Sequence, residues 1–119
     1  MLDFLKLRPA DNTAAGIAAA LERANAARIA AQATITEAKQ KRDALLLDGQ
    51  PAQMTAAEKT LAAAREEAER IDALVEQLAA RLPAAQRADA LAKMDAKLSE
   101  MRNAAKAMET WWSKNGASR

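Results

Sequence analysis

The chain has no cysteine, histidine or tyrosine, and only three glycines and three prolines in 119 residues. Without cysteine no disulfide framework can form, and without cysteine or histidine no zinc site with nitrogen or sulfur ligands can be built. Imidazole-based acid–base and nucleophilic catalysis are excluded on the same ground. The glycines, Gly16, Gly49 and Gly116, stand apart, so no glycine-rich loop can cradle a phosphate. Aromatic residues are limited to Phe4, Trp111 and Trp112, and β-branched residues are scarce and never alternate, which argues against strands. No run of 18 apolar residues is present, so no segment is expected to span a membrane. Net charge is only +2, a weak pull toward an acidic partner.

What the chain does have is alanine, 34 residues of 119. Alanine is the best helix former and buries little area, so the sequence favours helix while supplying a thin core. A helical chain short of packing energy is expected to bury apolar surface against another subunit or a partner.

Residues 1–12 form a short apolar segment carrying Leu2, Phe4, Leu5 and Leu7, closed by Pro9. It is a poor signal peptide, and the cytoplasm is the expected compartment. Asp11-Asn12-Thr13 is a helix N-cap signal. An unbroken helical pattern then runs to Asp48-Gly49-Gln50-Pro51, where glycine followed by proline marks a stop and a restart. In the next helix Met54, Ala57, Leu61, Ala64, Ala68, Ile71, Val75, Leu78 and Leu82 recur at alternating spacings of three and four, widened by Leu74. That is a coiled-coil seam.

After Pro83 the seam would continue on Ala85, Asp89 and Ala92, yet the apolar series restarts out of phase. It reads Leu91, Met94, Leu98, Met101, Ala105, Met108 and Trp112. A phase break at a proline predicts a boundary, with helices at about 13–47, 52–82 and 84–114 in one domain over 13–116 and a tail at 117–119. The expected fold is all-α, an antiparallel three-helix bundle or helical hairpin with coiled-coil-type seams. The alternative is an elongated hairpin whose long second arm is kinked at Pro83.

Charged residues read mostly as a solvated surface. Arg65–Glu69, Glu66–Arg70, Asp89–Lys93, Glu37–Lys41 and Lys39–Asp43 all have ion-pair spacing on a helix. Lys39, Lys41 and Arg42 form a basic end on the first helix, flanked by Glu37 and Asp43. No aromatic stands among them to stack a base. Arg28 and Arg42 occupy positions of the first seam, Ile17, Leu21, Ala24, Arg28, Ala31, Ile35, Ala38, Arg42, Leu45, that the pattern assigns to apolar side chains. Either their stems pack at the stripe's edge with the guanidinium in water, or they pair across the hairpin. A turn centred on Gly49-Gln50 makes facing positions sum to 99, placing Arg28 near Asp72 or Glu69 and Arg42 near Glu58.

The methionines Met94, Met101 and Met108 recur every seven residues and lead to Trp112, which the spacing places at the end of the bundle core. Trp111 lies one step round the helix, so the spacing makes it an exposed interface anchor. The N-terminal apolar segment, a second subunit or a foreign partner are its candidate covers.

These features predict a non-enzymatic α-helical protein–protein interaction or assembly protein. It would be a self-assembling coiled coil, or a small factor or inhibitor docking onto a larger complex, as alanine-rich coiled coils do among virion-assembly factors. The partner is a protein or a second copy, and the expected partner-binding residues are Trp111, Trp112, Met108, Met101, Arg28, Arg42, Lys39 and Lys41. No catalytic residue, cofactor, metal or small-molecule substrate is expected. The alternative is a small nucleic-acid-associated protein using the basic end of the first helix.

Overall fold

A computed structural model describes residues 3–116 of the chain; Leu2 and the tail at 117–119 lie outside the described residues. Three helical elements follow one another: a 3₁₀ turn Phe4–Leu7, helix α1 Ala14–Ala44 and helix α2 Pro51–Asn115. Helices α1 and α2 pack as a hairpin. The three-helix bundle is not formed, because the expected second and third helices are one 65-residue helix. At 1.5 Å per residue that helix is about 97 Å long, and it sets the 103 Å length of the molecule. The radius of gyration is 27.6 Å, about twice that of a compact domain of this size.

Helix α2 passes through Pro83 for a local reason. Proline removes one backbone hydrogen bond and crowds the carbonyl four residues back, here that of Ala79. Ala79, Ala80 and Pro83 are all exposed, so the freed carbonyl lies on a face open to water. On the opposite face Leu78, Leu82 and Ala85 keep packing against α1 across the proline. The seam is therefore continuous where the backbone is weakest.

The first seam of α2 is buried as its spacing predicts. Leu61, Ala64, Ala68, Ile71, Leu78 and Ala85 are buried, and Met54, Ala57, Leu74, Val75 and Leu82 are half-buried. Opposite them Ile17, Ala20, Ala24 and Ala38 of α1 are buried, and the three alanines let the two backbones approach closely. The N-terminal segment folds back along this groove. Leu7 is buried, the Arg23 guanidinium donates to the Arg8 carbonyl, and Phe4 reaches a groove edged by Thr34, Ala63 and Glu67. This segment belongs to the hairpin and does not cover the tryptophans of its own chain.

The register differs from the sum of 99. Ala14 stands at Asp89, and Ile17, Ala20 and Ala24 share one cluster with Leu78, Leu82 and Ala85, so facing positions sum to about 102–103. The cause is the turn. Helix α1 ends at Ala44, and Leu45–Asp48 form a turn in which Leu46 and Leu47 are 62% and 95% exposed. Leu45–Leu47, counted as helix from their hydrophobicity, are spent on the connection, which shifts the pairing by about one helical turn. Gly49 is not in the left-handed region. It is needed because a Cβ there would sit 2.5 Å from the Leu45 carbonyl oxygen, which accepts from the Gly49 N–H at 2.8 Å.

With that register the arginines do not pair across the hairpin. Among the described residues the ion pairs are Lys41–Glu37 at 3.1 Å and Arg42–Asp43 at 2.7 Å. Arg28 is exposed, whereas Arg42 is half-buried beside Asp43.

Asp89, which breaks the apolar pattern, has a structural task. Its carboxylate accepts from the Ala14 N–H at 2.9 Å, satisfying one of the free donors at the α1 N-terminus from the facing helix. Thr13 accepts from the Gly16 N–H in the same turn, and Asp11 accepts from Thr13. The Thr13 hydroxyl first, and its backbone N–H second, hold the Asp11 carboxyl below its ordinary value. A carboxyl lowered in this way supports the fold above its unfolded pKa, and the support fades as pH falls through the lowered folded value. Replacing Asp89 with alanine is expected to cost about 1 kcal/mol of hairpin stability in denaturant unfolding, with Asp89→Asn keeping most of it. Equal stability of all three proteins would show that the tertiary cap contributes nothing.

Candidate functional site

Helix α1 starts at Ala14, opposite Asp89, so α2 outruns its partner from there on. Residues 90–115 are exposed one and all. This stem is about 39 Å of helix with no residue buried or half-buried against the rest of the described chain. An isolated helix of such length draws its stability in water mostly from tertiary packing of an apolar face. The face exists: Leu91, Met94, Leu98, Met101 and Met108 are 44–67% exposed along one stripe.

The out-of-phase restart seen in the sequence is a change of direction. Leu91 follows Asp89 by two residues, which turns the stripe about 200° round the helix. One helix thus carries two seams on nearly opposite faces. The first is covered by α1, and the second is uncovered.

Trp111 and Trp112 close the stem. Their rings meet edge to face with centroids 5.4 Å apart, and they are 57% and 59% exposed. Trp112 therefore does not anchor an intramolecular core as its spacing suggested, because the third helix it would have packed in is the stem itself. Trp111 is exposed as expected. Met101 and Met108 lie on the same open stripe.

The remaining sequence-derived positions lie elsewhere. Arg28, Lys39, Lys41 and Arg42 belong to α1, and the stem projects beyond the opposite end of that helix from the Lys39–Arg42 cluster. Lys41 and Arg42 are each held by a neighbouring carboxylate, Glu37 and Asp43, so two of the three cations of the basic end are locally paired. The structure thus groups Met101, Met108, Trp111 and Trp112, and separates them from the four basic residues. Leu46 and Leu47 at the hairpin turn form a second, smaller apolar patch that the sequence reading placed in a helix.

Charge on the stem is mixed. Asp95, Arg102 and Glu109 line the flank just after the methionine row, and Ala90, Lys97, Ala104 and Trp111 the flank just before the Leu91–Leu98 row. A shallow open groove lined by Ala90, Lys93, Met94, Ala96, Lys97 and Glu100 runs along the outer side of the second flank. No helix among the described residues is long and apolar enough to cross a membrane. No known protein family, curated protein or solved structure matches the chain.

Proposed function

We propose that the chain is a non-enzymatic, coiled-coil interaction or assembly protein whose α1–α2 hairpin presents the stem of α2 as a docking helix. The observation that carries this reading is the uncovered apolar stripe from Leu91 to Trp112. Its scale is visible in the total surface. The chain exposes 9333 Å², whereas a compact monomer of 12.7 kDa exposes about 6,200 Å². The excess of about 3,000 Å² exceeds the roughly 1,600 Å² that a standard interface buries. The hairpin supplies a rigid base, and the stem supplies adaptable methionine and aromatic contacts suited to another helix.

The test is the full-length Leu98→Asp/Met101→Asp variant. Both side chains are exposed, so hairpin unfolding should stay within about 0.5 kcal/mol of the parent. Sedimentation and copurification from the native host should both lose stem-dependent association. If the parent neither self-associates nor retains any host protein that the variant loses, the stem is not a docking helix.

A further inference from the structure

We infer that the occupant of the stem is the stem of a second copy, lying antiparallel, with facing positions whose numbers sum to 199. The inference rests on reading the stem as a docking helix, and it is carried by the order of charges beside the stripe. In a parallel pair the two flanks of the stripe face one another five residues apart. Lys97 then meets Arg102 of the other copy, twice, and nothing compensates. Reversing one helix brings each flank against its own copy.

Among the antiparallel registers, one matches both charge and shape. At a sum of 199, Asp95 of each chain stands beside Arg102 of the other, giving two opposite-charge contacts related by the twofold axis. The inner layers are Leu91 with Met108, Leu98 with Met101, and Met94 with Ala105, each occurring twice and all of them apolar, and Trp112 against Arg87 closes each end. Sliding by seven residues one way sets Arg102 against Arg102 and Asp95 against Glu109; sliding the other way sets Asp95 against Asp95. A slide of fourteen pairs Arg102 with Glu109 but strands Leu91 and Met94 and puts Asn115 on Leu98. The matching register also places Trp111 beside Ala90 of the second copy, at the end of the open groove that runs from Ala90 past Lys93 and Lys97 to Glu100. A tryptophan leans toward its own helix N-terminus, which in this pairing is toward that groove. Helix α1 does not obstruct the pair, because the second seam lies about 200° from the first. The resulting assembly is a rod with two hairpins pointing outward from a shared central pair.

The chain lacks cysteine, so introduced thiols report without interference. Full-length Leu91→Cys and Met108→Cys proteins, mixed under a glutathione redox buffer, should form the mixed disulfide, with little homodisulfide from either alone. Self-linking of each variant would show a parallel pair, and preferential linking of Ala105→Cys with Met108→Cys would show the register slid by fourteen. Either result overturns the proposal. Charge exchange reads the same geometry independently. Asp95→Arg alone, or Arg102→Asp alone, should raise the dimer dissociation constant at least about tenfold. Mixing the two should restore it to within about threefold of the parent as a heterodimer. A parent that sediments as a monomer at several hundred micromolar also overturns self-pairing. If a host protein is then still lost with the Leu98→Asp/Met101→Asp variant, the docking reading survives with a foreign occupant.

Discussion

Replacing Ile71 with alanine will lower the unfolding free energy of the hairpin by about 3–4 kcal/mol, while the same replacement at Ile29 will leave it unchanged or slightly raised. Ile71 is 1% exposed and is the largest fully buried side chain in the chain. Its register places it opposite Ala31, so alanine there would leave alanine facing alanine and a void that neither backbone can close. A core built from Ala20, Ala24, Ala38, Ala64 and Ala68 has few large side chains to redistribute the loss. Small domains sit near the low end of a 5–15 kcal/mol range, so the variant should be partly unfolded near room temperature. Ile29 is 73% exposed on the same hairpin. There the exchange removes a β-branched residue from a solvated helix face and gains about 0.4 kcal/mol of propensity. Urea unfolding followed by circular dichroism measures both. Equal losses at the two sites would show that burial along the seam does not govern stability.

The contrast between these two isoleucines shows what the sequence could convey. The seam from Met54 to Leu82 was legible because burial on a helix leaves a periodic trace, and Ile71 sits in that trace while Ile29 does not. The turn at Gly49–Pro51 was legible because glycine and proline have local backbone consequences. What could not be read was the use made of ambiguous signals. Pro83 costs the same hydrogen bond in a kink, a boundary or a straight helix, and only the exposure of its outer face lets α2 continue. Asp89 looked like a break in the seam, because a pattern of apolar positions cannot show that a carboxylate meets the start of another helix. Leu45–Leu47 looked like helix because hydrophobicity does not distinguish a packed leucine from one stranded in a turn. The spacing of the second stripe defines a true series, yet the face it marks points outward. Spacing defines which residues share a face, but not what that face meets.

The tryptophans carry the same distinction to its functional consequence. A tryptophan at the end of a bundle core would cost about 3–5 kcal/mol on replacement by alanine. Trp112 is instead 59% exposed and Trp111 57%, so either replacement should shift hairpin unfolding by no more than about 0.5 kcal/mol. Association should respond strongly. Trp112 continues the stripe and, in the antiparallel register, stands across from Arg87 of the second copy, where a guanidinium can lie on the indole face. Trp111 meets Ala90 on the flank, where a small residue leaves room for a ring. Each replacement is expected to weaken association by about 2 kcal/mol or more, roughly thirtyfold, as aromatic anchors at an interface do. Because the chain has no tyrosine and no other tryptophan, its indole fluorescence reports on this end of the stem alone. The emission of the parent protein should move to shorter wavelength as concentration drives association, with a midpoint matching that from sedimentation. Loss of hairpin stability in Trp112→Ala would place that ring in a core after all. An emission spectrum indifferent to association would remove the doublet from the contact.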